Sequence, residues 1–320
     1  MSDEDPSITP AERRRLRAER AQHARERRIW WSLAAAGVVV LTIFGLLFWP
    51  VMAARLDAVK QVDEAQAHLA QADSPIAQID KVVAVQLSPE GASAVPSIET
   101  QMLIARRELN AAEGLVADAM PHLTEDEQKR AELLLTAVKA RRTMVDRATT
   151  ILRASVKAVK AKTIADQAWQ LTLLALSDET SATQKYQSHK ASSTARALAA
   201  VVTIRERLGE ARALYSQATT AFPEAGFQRY VVYTDMRRKL VDQLELATRL
   251  WLAHDLAGAA SAFAQYQASA AKVEKVRAAL PYAPGTATGI AFQKLAGRAA
   301  DAYAKAKQLA AQTDKALATP

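Results

Sequence analysis

The sequence predicts an all-α protein in which one transmembrane helix is followed by an extended helical bundle or a solenoid-like series of helical hairpins. Residues 29–54 contain no charged side chain, and about 20 apolar residues are enough to cross a bilayer as a helix. Alanine dominates the rest of the chain, and only eight of its ten glycines lie outside this segment. Such a composition favours long helices with few breaks.

A basic arm, residues 1–28, precedes the apolar segment. It contains eight arginines, whereas the 20 residues after position 54 contain only Arg55 and Lys60. Because the cytoplasmic flank of a span carries the excess of lysine and arginine, we expect the amino terminus in the cytoplasm and everything after residue 54 outside it. Anionic lipid headgroups are the expected contact of the arm. A short run without an aromatic side chain argues against nucleic acid as its partner.

Aromatic residues mark both ends of the predicted span. Trp30 and Trp31 lie at the first end and Trp49 at the second, where indole rings favour the headgroup level. Together with Arg27 and Arg28, these tryptophans are the predicted membrane-interface residues. A signal peptide cleaved after Ala53 is the alternative, but the apolar run exceeds the roughly 7 to 15 residues typical of such peptides. Lipid is therefore the first expected partner.

The remaining chain is predicted to contain a helical stalk and linker (residues 55–96) and two helical modules (residues 97–194 and 195–320). The stalk prediction follows from an apolar stripe at spacings of three and four that continues from the span to Ala72. Two related modules are suggested by the hexapeptides at 141–146 and 237–242, which are identical at four of six positions. Chance similarity between arginine-rich helices is the alternative explanation.

Helix ends are predicted where proline, glycine and capping residues cluster. Thr124 and Glu127 have the spacing of a capping box, which marks the start of a helix. From there to residue 176 neither glycine nor proline occurs, so the stretch is one very long helix or two helices joined near residues 160–163. The predicted breaks are residues 73–75, 87–97, 120–124, 177–183, 222–226 and 280–289.

A small residue followed four positions later by a large apolar one recurs along the chain, often with another small residue three positions further on. Examples are Ala112/Val116/Ala119, Ala211/Tyr215/Ala218 and Ala299/Tyr303/Ala306. The pattern resembles the second helix of tetratricopeptide repeats, and Pro223 lies where that family ends its helix. This resemblance implies antiparallel helical hairpins, although the first-helix signature is missing and the spacing exceeds 34 residues. Tyr233-Thr234 before an alanine-rich helix is also similar to FIVAR modules.

No residue pattern in the sequence indicates a reaction, a cofactor or a metal. The five histidines are scattered, Ser188-His189 falls in a polar stretch expected to be a loop or helix end, and no glycine-rich phosphate loop occurs. The exterior aromatics are expected to fill the core, with some available to anchor a peptide.

We therefore expect a non-enzymatic interaction or assembly module of the cell envelope that binds another envelope protein. A ligand-binding sensor or receptor subunit that signals through a partner is the alternative. A homo-oligomer has no support in the sequence, because the span lacks a GxxxG motif.

Overall fold

The computed structural model describes the backbone of residues 10–281 and 283–319, and the side chains of residue 45 and of residues 48–281 and 283–319. These residues form seven α-helices and no strand, which confirms the all-α fold. Two short 3₁₀ turns, Met120–His122 and Pro223–Ala225, precede the third and fifth helices. The helices are α1 (Pro10–Ala84), α2 (Pro89–Ala119), α3 (Glu125–Gln187), α4 (Ala191–Ala221), α5 (Gln228–Leu252), α6 (Leu256–Ala278) and α7 (Pro284–Leu317).

The predicted membrane span lies mostly on residues whose side chains are outside the described part of the chain. This holds for residues 29–44 and for four of the predicted interface residues, namely Arg27, Arg28, Trp30 and Trp31. Trp49 is described, and its side chain is 77% exposed on α1. Among the described residues, no helix has a stretch long and apolar enough to cross a bilayer. The span stays a prediction.

Two compact units make up the described chain. The first consists of the residues before Ala67 together with Gly114–Glu132, and the second consists of Ala67–Glu113 together with the residues after Glu132. In the first unit, Arg55 donates to the carboxylate of Glu127 at 2.8 Å. Its apolar contacts come from buried positions that include Ala58, Val62, Ala65, Val116 and Ala119.

The predicted capping box is present in the first unit. The backbone N–H of Thr124 and its hydroxyl both donate to the Glu127 carboxylate, each at 2.8 Å. The hydroxyl therefore acts as a donor to Glu127 instead of accepting from the helix amide. These bonds and Arg55 lower the pKa of Glu127 to about 2, with Arg55 as the largest cause.

Two arginines at equivalent positions of the repeated hexapeptides lie buried in the second unit. Arg141 donates to Asp73 on α1 at 2.8 Å and to Asp314 on α7 at 2.9 Å. Arg237 donates to Glu179 on α3 at 3.3 Å and also to Glu274 on α6. In each case one guanidinium joins carboxylates from two other helices.

A second pair of ion pairs also involves equivalent positions of the two repeated hexapeptides. Arg106 on α2 donates to Asp146 on α3, and Arg205 on α4 donates to Asp242 on α5, each at 2.9 Å. The helices involved are alike, since α2 and α4 each contain 31 residues and each is followed by a 3₁₀ turn.

Several helix ends differ from the sequence prediction. Helix α1 continues through Pro75, because its buried neighbours Ala72, Ile76 and Ile79 hold both sides of the proline against the core. Helix α2 already begins at Pro89 and includes Pro96. The break predicted at residues 177–183 is wrong, and α3 continues through these residues. The hydroxyls of Thr180 and Thr183 donate to backbone carbonyls four residues earlier, so both polar side chains are satisfied within the helix.

Of the two alternatives for the stretch after Thr124, the structure has the single helix. Helix α3 contains 63 residues, and no joint occurs near residues 160–163. The breaks around residues 120–124 and 222–226 coincide with the two 3₁₀ turns. At 280–289 the break is shorter than predicted, because α7 starts at Pro284. Further turns at residues 188–190 and 253–255 carry no proline or glycine.

The repeated small–large–small pattern lies in the core. Ala211, Tyr215 and Ala218 are each fully buried on α4, and Ala299, Tyr303 and Ala306 are buried on α7. Each tyrosine fills the space that its small neighbours leave between adjacent helices, which is the packing that the pattern predicts.

Candidate functional site

A cleft of about 760 Å³ lies in the second unit at the end of α3, between the end of α5 and the start of α6. Helix α3 contributes Tyr186 and Gln187, the turn that follows it contributes His189, and α5 contributes Trp251. The first half of α6 supplies the opposite wall through Leu256, Ala259, Ala260, Phe263, Ala264 and Gln267. We call this site the aromatic cleft.

Five rings form a continuous array through the aromatic cleft. Trp251 lies beside His189 with 6.4 Å between ring centroids, and His189 lies 6.2 Å from Tyr186. Tyr186 then contacts Phe263 at 4.7 Å, and Phe263 stacks on Tyr266 at 5.5 Å. Tyr186 and Tyr266 are buried, whereas Trp251 and Phe263 are half-buried, so their ring faces contribute to the surface. Tryptophan and tyrosine are enriched at binding hot spots.

The aromatic cleft is electrically neutral. None of its ten lining residues is an aspartate, glutamate, lysine or arginine. Helix α6 has no charged residue from 256 to 271, although 24% of the chain is charged. The polar side chains that line the aromatic cleft include the amides of Gln187 and Gln267 and the His189 imidazole. Such a surface suits an apolar or aromatic group that carries a few hydrogen-bonding atoms.

A buried ionic cluster supports the floor of the aromatic cleft. The Tyr266 hydroxyl donates to Glu179 at 2.9 Å, and Glu179 also accepts from Arg237. Burial raises the pKa of Glu179 and also raises the pKa of Tyr266 well above its usual range, while Arg237 opposes the shift at Glu179. The guanidinium of Arg237 lies 5.6 Å from the Tyr233 ring centroid, within cation–π range. The cluster links α3, α5 and α6 beneath the cleft.

Two histidines with positive φ end the helices that border the aromatic cleft. His189 follows α3 with φ 52°, and His254 follows α5 with φ 64°. At the second turn, Asp255 N–H donates to Leu250 C=O and His254 N–H to Trp251 C=O, which is the Schellman pattern. Glycine is usual at such positions, and strained residues cluster at functional sites. The His189 ring is part of the cleft lining, whereas His254 is not.

Replacing His254 with glycine is expected to raise the free energy of unfolding by about 1 kcal/mol, because glycine adopts the left-handed conformation without a Cβ penalty. Urea unfolding of the full chain in mild detergent, followed by circular dichroism, measures the change. Gly226→Ala is the matched control, because Gly226 has φ 68° and open space around it. It should shift stability by a similar amount in the opposite direction. Equal stability of His254→Gly and the parent protein would contradict the argument.

The sequence predicts that the exterior aromatics fill the core, with some available to anchor a peptide, but it does not show which of them reach the surface. The structure separates them, because Tyr215, Tyr230 and Tyr233 are fully buried while Trp251 and Phe263 line the aromatic cleft. His189 was expected only in a loop or helix end, and the structure places it in the turn after α3. The charge-free run of α6 was the available signal in the sequence.

No group of histidine and carboxylate side chains with a metal-binding arrangement occurs within the described residues. Comparison of the chain with protein-family models, curated proteins and solved structures finds no match. The chemistry of the aromatic cleft is therefore the main guide to function.

Proposed function

We propose that the chain is a single-pass membrane protein whose helical domain lies on the extracytoplasmic side and binds another envelope protein through the aromatic cleft. The observation that carries the binding part of this proposal is the uncharged aromatic lining formed by the exposed His189 and the half-buried Trp251 and Phe263. The location rests on the charge-free residues 29–54 and on the arginines that precede them. The protein acts in assembly, without catalysis.

The membrane part has its own test. External protease added to intact cells should digest the helical domain while cytoplasmic control proteins survive. Protection of the domain until the cells are lysed would contradict the proposed topology. Anionic headgroup contacts of the arm predict that a peptide of residues 1–28, which lacks the span, binds anionic vesicles less tightly at high salt.

The binding part is tested with two leucine substitutions that differ in position but not in chemistry. Leu256→Glu places a carboxylate at the edge of the aromatic cleft, on a side chain that is 60% exposed. Leu246→Glu places the same group on α5, on a side chain that is 50% exposed and outside the cleft lining. Because both leucines are largely in water, neither change should disturb the fold.

The expected result is that a partner purified with the full chain from membranes in mild detergent is retained by Leu246→Glu and reduced about tenfold or more by Leu256→Glu. Quantitative mass spectrometry of the eluates measures this difference. Equal recovery of every co-purifying protein with both variants would contradict docking at the aromatic cleft.

A small-ligand sensor or receptor subunit is the second candidate. One observation favours it, because a cleft of about 760 Å³ falls within the range of small-molecule sites. A sensor would bind a low-molecular-weight envelope component, and its ligand would protect Trp251 fluorescence from quenching by acrylamide. Protection by envelope extract filtered to remove macromolecules would favour the sensor over the assembly module.

A further inference from the structure

This inference rests on the proposed function and concerns the segment that the partner presents. The geometry points to an amphipathic α-helix that lies along the groove between α3 and α6. It carries two large apolar anchor residues about two heptads apart. The first anchor enters the aromatic cleft. The second enters another cleft between the same two helices.

That second cleft has a volume of about 440 Å³ and lies toward the other end of α6. Trp169 and Leu173 on α3 form one wall, and the other is formed by Glu274, Arg277, Ala278, Leu280 and Pro281. Trp169 packs edge-on against Tyr230 with 6.0 Å between ring centroids, so its ring is held in place. Leu173 is exposed, and an apolar side chain from a partner would cover it.

Both clefts lie along the same pair of helices, α3 and α6, which run antiparallel. The Tyr186 hydroxyl reaches the Ala259 carbonyl, and further along the Tyr266 hydroxyl reaches Glu179. As residue numbers fall along α3 they rise along α6. The distance between the clefts follows from helix geometry: Gln187 and Leu173 are 14 residues apart on α3, which corresponds to about 21 Å.

A helix is the segment that matches this groove. Residues two heptads apart on an α-helix are also separated by about 21 Å and lie on nearly the same face. Along α6 the small exposed residues Ala260 and Ala264 line the first cleft, and Ala268 and Ala271 continue this face toward the second. Small residues let a second helix approach closely.

Charge supports the same occupant. The chain carries a formal net charge of +8, yet residues 256–271 of α6 and residues 167–177 of α3 contain no charged side chain. At the second cleft Glu274 and Arg277 form an ion pair with each other at 3.5 Å, so their opposite charges offset. An uncharged apolar stripe on the partner therefore leaves no new charge buried and unpaired. The partner helix therefore presents an apolar, alanine-rich stripe with the two anchors and keeps its charges on the opposite face.

The test uses the full chain in detergent micelles and synthetic fluorescent peptides of about 22 residues, which is long enough to span both clefts. The first peptide is an alanine-rich helix with a tryptophan and a leucine two heptads apart. The second has the same composition with the anchors one heptad apart, and the third carries a central proline that breaks the helix. Fluorescence anisotropy gives the dissociation constants.

We expect the first peptide to bind about tenfold more tightly than the other two, since only it fills both clefts at once. Leu256→Glu and Leu173→Glu should each weaken its binding by a similar factor, and Leu246→Glu should leave it unchanged. Circular dichroism of each variant verifies that its helices are intact.

Three outcomes would overturn the inference. Equal binding of the proline peptide would indicate an extended segment, and equal binding of the two anchor spacings would confine the site to one cleft. Sedimentation showing that the chain forms a dimer, which Leu256→Glu and Leu173→Glu both dissociate, would identify a second copy as the occupant. The proposed function is judged separately, by co-purification of the cellular partner. Loss of that partner with Leu256→Glu supports docking at the aromatic cleft whatever the peptides show. Retention of the partner counts against the proposed function, and the peptide result is unaffected.

Discussion

Replacement of Arg237 by methionine is expected to lower the free energy of unfolding by about 3–5 kcal/mol, because it leaves the Glu179 carboxylate buried without its cation. Glu179 and the Arg237 side chain are only 5% and 6% exposed. Methionine keeps the length and apolar character of the arginine stem, so the loss reports the charge and its hydrogen bonds. Urea unfolding of the full chain, followed by circular dichroism, measures the effect.

The destabilisation of Arg237→Met should depend on pH. Burial raises the pKa of Glu179, and Arg237 opposes this rise. Without Arg237 the folded-state pKa of Glu179 lies further above its unfolded value of about 4.3. Protonation of Glu179 in the folded state stabilises the protein below the unfolded-state pKa, and this stabilisation is lost as the pH rises through the folded-state pKa. The penalty should therefore be smaller at pH 4 than at pH 7.

Arg141→Met is the matched comparison. Arg141 is as buried as Arg237, but its partners Asp73 and Asp314 are 51% and 45% exposed, so water solvates them when the arginine is removed. We expect a smaller loss with weaker pH dependence. A second control, Glu179→Gln combined with Arg237→Met, should recover part of the stability. A pH-independent loss in Arg237→Met, equal to that in Arg141→Met, would show that the Glu179 charge is not the cause.

Tyr215→Ala is expected to be similarly severe, with a loss of about 3–5 kcal/mol. The Tyr215 side chain is fully buried and stacks on Tyr230 at 5.1 Å between ring centroids. Its neighbours Ala211 and Ala218 have no side-chain length with which to fill the cavity. The same unfolding measurement applies.

Tyr215→Phe separates ring packing from the hydroxyl, because it keeps the ring and should cost much less than Tyr215→Ala. Val202→Ala, on the same helix but 53% exposed, should change stability by less than about 0.5 kcal/mol. A loss below about 1 kcal/mol for Tyr215→Ala would mean that the core collapses around the missing ring, against the packing derived from the small–large–small pattern.

Much of the fold was predictable because its causes are local. The absence of glycine and proline from Thr124 to Leu176 allowed one long helix there, and the Thr124–Glu127 spacing predicted its start. Its continuation to Gln187 was not predicted. The small–large–small pattern correctly identified buried positions, including Tyr215 and Tyr303. Burial of Arg141 and Arg237 was not predictable, because their carboxylate partners are remote in sequence. The sequence indicates i,i+4 ion pairs only for the neighbouring arginines, Arg142 with Asp146 and Arg238 with Asp242.

The candidate site was less predictable than the fold. Its lining comes from residues more than 60 positions apart, such as Tyr186 and Trp251. The apolar periodicity of a helix shows which face is buried, but it does not show which aromatic side chains on that face also reach the surface. The turns at His189 and His254 lacked the glycine that usually marks a helix end. The aromatic cleft lies beside these two turns. Its position was therefore not predictable, because histidine stands at both turns where glycine is usual.

The uninterrupted course of α3 has a mechanical consequence. In the second unit, Arg141 and Glu179 lie on this one helix, 38 residues or about 57 Å apart, and each belongs to a different ionic cluster. No loop between them absorbs displacement, so a rotation of one end is passed on as elastic bending or twisting of the helix. A load applied by an occupant of the aromatic cleft therefore reaches the Arg141 cluster through a single continuous backbone, without rearrangement of any turn.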